Sequence, residues 1–207
     1  MKLYELNFLG HAVFSPKDDF ITLGNLSGDF LKNRYHHQLS PALINGVYLH
    51  RAIDTFTDNH QALRDLLPFF RSHFGKYSSV VLDVLLDYLL CDIWKDLFLY
   101  DFEVFCRSIY LTIEKYSGEL PQRPALIMSQ MAAADWLAAY GEEERILRVF
   151  NRLSDRARIE LKGRIALDVF NENRDTFEVK GVEFLTDLKT YLTGNNLIQE
   201  QRINWKK

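Results

Sequence analysis

Apolar residues recur at intervals of three and four along nearly the whole chain, and no convincing run of alternating positions interrupts them, so the pattern predicts an all-α fold. Leu3, Leu6, Leu9 and Val13 put a core-facing helix over residues 1–14, carrying His11 and ended by Ser15-Pro16. Ser40 followed by Pro41 predicts an N-cap with proline in the first turn, and the helix it starts runs to Asp58-Asn59 and His60. Ala62 to Phe74 is the next amphipathic segment, bent at Pro68 and stopped by Gly75. Ser79 to Ile93 follows, apolar on almost every side. Asp101 opens a helix with Phe102, Phe105, Ile109 and Ile113 on one face, ending near Gly118, and Pro121 and Pro124 read as a short linker. Ala125 to Tyr140 reads as an alanine-rich helix closed by Gly141; Glu142 to Glu144 start another, and Leu161 to Leu192 continues the helical repeat. Gly194-Asn195-Asn196 leads into a polar tail expected to fray.

The helix that starts at Pro41 has a polar edge. His50, Asp54 and Asp58 fall four residues apart and line one side, with Leu49, Ile53 and Phe56 as the adjacent apolar stripe. A histidine and a carboxylate one turn apart can share a divalent cation, imidazole suiting manganese, iron or zinc and carboxylate the harder ions. The same spacing also fits a solvated helix edge. The segment from Ser79 sharpens the choice, because Asp83 and Asp87 are the polar exceptions on its first turns. Two carboxylates buried one turn apart lose hydration and repel each other, so they call for a cation, a protonation shift, or a basic partner such as Arg51, Arg64 or Arg71. In Leu23-Gly24-Asn25-Leu26-Ser27-Gly28-Asp29-Phe30 the glycines allow close backbone approach or positive φ and place Asp29 at the start of a short helix, as cap or as ligand. His11 fits a hydrogen-bonded core residue as well as a ligand, and Asn33 to Leu39, with Arg34, His36 and His37, reads as a solvated turn.

With 207 residues, 47% of them hydrophobic, the chain can fill one core, and the reading is a single compact helical domain over 1–207. A formal net charge of −3 lacks the footprint of a nucleic-acid binder. Against that background Arg145, Arg148, Arg152 and Arg156 stack along one helix face, a solvated stripe or a docking surface for a partner. Cys91 and Cys106 sit in apolar helical patterns and read as reduced thiols, no apolar run approaches a bilayer's span, and Glu5 and Asn7 break any secretory leader, so a cytoplasmic location is expected. There is no phosphate loop, CxxC or Gly-x-Ser-x-Gly elbow. Oligomeric state leaves no mark in the sequence.

Three motifs in order carry a resemblance. Asn7-Phe8-Leu9-Gly10-His11, Gly24-Asn25-Leu26-Ser27-Gly28-Asp29-Phe30 and His50-Arg51-Ala52-Ile53-Asp54-Thr55-Phe56-Thr57-Asp58 resemble the acyl carrier protein phosphodiesterase family, closely over about the first hundred residues and more weakly beyond Trp94. That resemblance implies an HD-domain-like helical bundle using Mn²⁺ to release 4′-phosphopantetheine from the serine of an acyl carrier protein. It implies His50, Asp54, Asp83 and Asp87, with His11 and Asp29, as metal ligands, His60 as general acid, Asp58 and Arg51 as further catalytic residues, and the arginine stripe as the carrier's docking surface. The chain departs from the family pattern at Tyr88, where the resemblance calls for histidine after Asp87. Phenol is a poor ligand near neutral pH, so two alternatives stay open: the same site acting on another phosphoester such as a nucleotide, or a silent helical protein that binds a carrier without cleaving it.

Overall fold

The structure, a computed structural model, describes residues 8–198 and 204–206 except the side chains of Arg156 and Ala157. Twelve α-helices follow one another among the described residues: α1 Phe8–Val13, α2 Asp19–Leu26, α3 Pro41–Asn59, α4 Gln61–Phe74, α5 Ser78–Asp92, α6 Trp94–Leu97, α7 Phe102–Tyr116, α8 Gln122–Ala133, α9 Trp136–Ala139, α10 Glu143–Ala157, α11 Gly163–Glu172 and α12 Arg174–Gly194. The fold is all-α. One hydrophobic core runs from α1 through α5 to α12, with Leu9, Val47, Phe70, Val84, Phe170, Phe177 and Leu192 among its buried members.

Two devices bring polar residues into this core at fixed positions. The first is the capped start of α3: the Ser40 side chain accepts from the Leu43 amide at 3.3 Å with Pro41 at N1, a cap worth about 1 kcal/mol that sets the helix register and so the heading of His50. The second is the crossing of α2 over α3. A Cβ added to Gly24 would lie 2.2 Å from the Leu43 carbonyl oxygen, and one added to Gly46 would lie 2.3 Å from that of Ile21. The two backbones therefore touch, and the turn after α2 falls directly on α3. α1 is buried at every residue and packs between α2 and α5.

Several boundaries differ from the sequence expectation. Leu23 to Leu26 close α2, which starts earlier because Asp18 accepts from the amides of Phe20 and Ile21 at 2.9 Å, so Asp29 stands in the turn after a helix rather than at the start of one. Pro124 lies inside the first turn of α8, where a missing N–H costs nothing, so Pro121 and Pro124 are not a linker. The segment 125–140 breaks at Asp135, which is left-handed at φ 50° and ψ 54° and holds the Tyr110 hydroxyl at 2.8 Å. The repeat from Leu161 breaks at Asn173 into α11 and α12. The tail does not fray throughout: Leu99 N–H bonds to Asn204 at 3.0 Å and Lys206 N–H to Leu97 at 2.7 Å, with Trp205 packed on Phe98 and Phe14. Leu3 and Leu6 of the expected first helix lie outside the described residues.

Candidate metal centre

His11 and His50, from α1 and α3, are buried and stacked, their centroids 4.1 Å apart and their planes at 16°. Both are tied to Asn25 of α2. The His11 Nδ1 lies 3.0 Å from Asn25 Oδ1, and the amide orientation is fixed because Asn25 Nδ2 donates to the His11 carbonyl at 2.9 Å and to Ser15 Oγ at 3.0 Å. The His50 Nδ1 lies 2.8 Å from the Asn25 backbone carbonyl. Carbonyl oxygens only accept, so both rings carry their proton on Nδ1 when neutral and both Nε2 atoms are left with a lone pair. Gly28 backs the second ring: a Cβ there would meet His50 Cγ at 2.3 Å.

Both Nε2 atoms converge on Asp54. His11 Nε2 is 3.2 Å from Asp54 Oδ1, and His50 Nε2 is 3.3 Å from Asp54 Oδ2 and 3.4 Å from Asp29 Oδ1. Those oxygens lie at ion-pair distance yet out of line, leaving His50 Nε2 a buried nitrogen without a hydrogen-bond partner, aimed between two carboxylates. One donor atom each from His11, His50 and Asp54 fits within 4.8 Å of the others. Two imidazole nitrogens with fixed tautomers and a carboxylate are the donor set of a divalent transition metal, and the anchoring through Nδ1 is how such ligands are held. The cluster can bind a metal ion.

Its electrostatics run the same way. Burial alone would lower the pKa of His50, but Asp29 and Asp54 beside it outweigh that and hold it up at about 9. Burial and the neighbouring His50 charge lower that of His11. For Asp54, burial pushes the pKa up, but the two histidines hold it far below the carboxylate range. Asp83 of α5 is only partly buried, yet desolvation, then the charges of Asp58, Asp54 and Asp29, push it up to about 7. Without a cation the site is short of positive charge.

The other sequence candidates are distributed unevenly around this cluster. Asp87 is fully buried, and its two oxygens accept the amides of Leu9 at 3.1 Å and Gly10 at 3.0 Å, in the first turn of α1. Burial outweighs these two hydrogen bonds and, with the Asp83 charge, pushes the Asp87 carboxyl well above the usual carboxylate range, and neither Arg51, Arg64 nor Arg71 forms a described pair with Asp83 or Asp87. Asp58 is exposed. His60 turns the other way, its Nε2 3.2 Å from Asp187 of α12 and its ring against Phe56 and Phe184. Arg51 donates to Asn33 Oδ1 at 2.7 Å. Tyr88 packs edge-on against Phe170 of α11 at 5.5 Å, so the position where the family pattern calls for histidine faces that helix. On α10, Arg145 is occupied by the Asp135 carbonyl at 2.9 Å and Glu142 at 3.3 Å, whereas Arg148 and Arg152 are exposed along a groove of about 450 Å³ that Trp136 also lines; the Arg156 side chain lies outside what is described. Asn25 and Ser15 are the residues the sequence reading passed over. Asn25 lay inside a quoted motif, but nothing in spacing marks an asparagine that serves two histidines from opposite ends of its own residue.

Comparison with known proteins gives a consistent result. The family model described as acyl carrier protein phosphodiesterase matches residues 6–188, well past Trp94, where the motif resemblance thins. Proteins named acyl carrier protein phosphodiesterase from Escherichia coli O6:H1 (strain CFT073), O139:H28 (strain E24377A) and K12 (strain DH10B) are each 28% identical over 155 residues, 73% of this chain and 79% of the relative. No solved structure matches significantly.

Proposed function

The chain belongs to the acyl carrier protein phosphodiesterase family, and on that premise we propose that it hydrolyses the phosphodiester between 4′-phosphopantetheine and the serine of an acyl carrier protein. The observation that carries the reading is the pair of Nε2 atoms, each freed by Asn25 on its far side and brought onto Asp54. His11, His50 and Asp54 would hold a divalent cation, Mn²⁺ being the family expectation, with Asp29 and Asp83 on its rim. When bound, such an ion supplies charge that neutralises phosphate oxygens and acidifies water. The chain's own part is orientation. Asn25 sets both tautomers, Gly28 leaves the room in which the His50 ring sits, and Asp87 fixes the first turn of α1 and thereby the height of His11. Arg148 and Arg152 would attract the acidic helix of the carrier, their gain resting mainly in the encounter rate.

The test is release of phosphopantetheine from holo-acyl carrier protein by protein prepared without chelator, with and without added Mn²⁺, beside nucleotide phosphodiesters. Metal-dependent release from the carrier supports the reading. Turnover of nucleotides with none of the carrier would move the site to another phosphoester, and binding without turnover would make it silent.

A further inference from the structure

Between Asp29 and Asp54, the two carboxylates that flank His50, the chain has no acidic residue, its longest such stretch, while the whole protein carries a net charge of −3. The same stretch holds Lys32, Arg34 and Arg51. The structure folds it back on the site: Asn33–Gln38 forms a 3-10 turn with no buried residue, and the turn is fastened to α3 where Arg51 donates to Asn33 Oδ1 at 2.7 Å and His36 meets the Tyr48 ring edge-on at 6.1 Å. At 100° per residue, Arg51 stands about 60° around α3 from Asp54, so the turn lies along the flank next to the metal cluster. Lys32 and Arg34 are exposed, with no described carboxylate partner, and Arg34 spreads over the Tyr35 ring at 4.8 Å. Tyr48 is 51% exposed, with the Arg51 guanidinium 5.9 Å from its ring centre.

Surface cations left unpaired in a slightly acidic protein are costly to gather and are useful when a negatively charged partner covers them. Exposed tyrosine and arginine together are also the composition of an interface centre. We propose that this turn and the Tyr48–Arg51 flank of α3 form a docking surface for an acidic protein, the body of the phosphoprotein whose ester enters the metal cluster. The inference rests on the proposed phosphodiesterase reading and adds to it a contact adjoining the site, separate from the α10 arginines. The partner's acidic segment lies on the turn, and its modified serine follows the chain toward Asp29 and His50.

The experiment uses the full-length protein and its Lys32→Glu/Arg34→Glu variant, with Lys32→Gln/Arg34→Gln as the neutral step. Binding of holo-acyl carrier protein to the metal-free proteins is measured directly, and KM and kcat are measured with Mn²⁺ for the same ligand. The reversed variant should weaken binding and raise KM about tenfold at low salt with the loss falling in KM rather than kcat, and the neutral variant should lie between. If the wild type hydrolyses the carrier and both variants keep its KM, the docking inference fails and the function stands. If the wild type binds the carrier without cleaving it and the reversed variant loses that binding, the docking inference stands and the proposed function fails. Equal affinity of the wild type for a single-stranded oligonucleotide and for the carrier would reduce the patch to a general polyanion surface and overturn the proposal. Circular dichroism and melting of the variants exclude misfolding as the cause.

Discussion

His11 and His50 stack at 4.1 Å, and one residue, Asn25, holds both through their Nδ1 atoms. His50 uses the Asn25 backbone, which no substitution removes, whereas His11 uses the side chain. Asn25→Ala should therefore release only His11. It should weaken Mn²⁺ binding by roughly 10- to 100-fold, the usual effect of losing the group that orients a metal-binding histidine, and calorimetric titration reads this directly. An unchanged affinity would mean that His11 is not a ligand.

The pKa of His50, held at about 9 by Asp29 and Asp54, makes the metal-free fold sensitive to base. A histidine favoured as imidazolium in the folded chain contributes stability that is complete below its usual 6.5 and is lost as the pH rises through about 9. The melting temperature of metal-free protein should fall over that window, and the fall should be shallower in His50→Gln. Metal must displace the same proton, so Mn²⁺ affinity should rise toward pH 9. A flat affinity across this range would contradict the assignment of His50 Nε2 as a donor.

Asp83 gives a prediction whose sign depends on the ion. Its pKa is pushed up to about 7 by burial and then by Asp58, Asp54 and Asp29, so ionising it costs stability as the pH rises through 7 in metal-free protein. Asp83→Asn should stabilise that form at pH 8 by about 1 kcal/mol, a rise in Tm of roughly 2–4 °C. With Mn²⁺ present the gain should vanish or reverse, because the positive charge then offsets the repulsion. The same gain with and without Mn²⁺ would place Asp83 outside the influence of the site.

Asp54 and Asp87 are both acids one turn from another acid, yet their substitution should fail differently. Asp54→Ala should keep its fold and lose turnover by at least about a hundredfold. Asp87→Asn should keep the site's donor atoms but set an amide NH₂ against the N–H of Leu9 or Gly10, a loss of about 1–3 kcal/mol seen in Tm before activity. A variant as stable as the parent would show that Asp87 does not hold α1.

The contrast between those two acids marks how far the sequence could be read. Helix boundaries governed by local chemistry were legible: Ser40-Pro41, Asp101 and Gly75 act through neighbours a few residues away. His50 and Asp54 were legible as a pair because helical spacing alone puts them on one side. What Asp87 does was not, since its partners are 77 and 78 residues away and are backbone amides, which have no identity in a sequence. Asp135 ended a helix that alanines seemed to continue, because Tyr110 and Arg145 stabilise its left-handed backbone from other elements. Trp205 gave the tail an anchor that its polar surroundings concealed.

The final prediction concerns Tyr88, the departure from the family pattern. Were position 88 part of the metal centre, Tyr88→His would restore a ligand or an acid and raise activity. The ring instead meets Phe170 edge-on at 5.5 Å and borders a cavity of about 850 Å³ lined also by Cys91, Trp94 and Phe102, all on the α6–α7 side of α5. Asp87, the preceding residue, already gives both oxygens to the amides of Leu9 and Gly10 on α1, and the next helical position points about 100° away from it, toward Phe170. Tyr88→His should therefore leave turnover within about twofold and lower stability by roughly 0.5–1.5 kcal/mol, the loss of one aromatic edge contact. A tenfold gain in Mn²⁺-dependent release of phosphopantetheine would show instead that position 88 bears on the metal centre and that the tyrosine limits this chain.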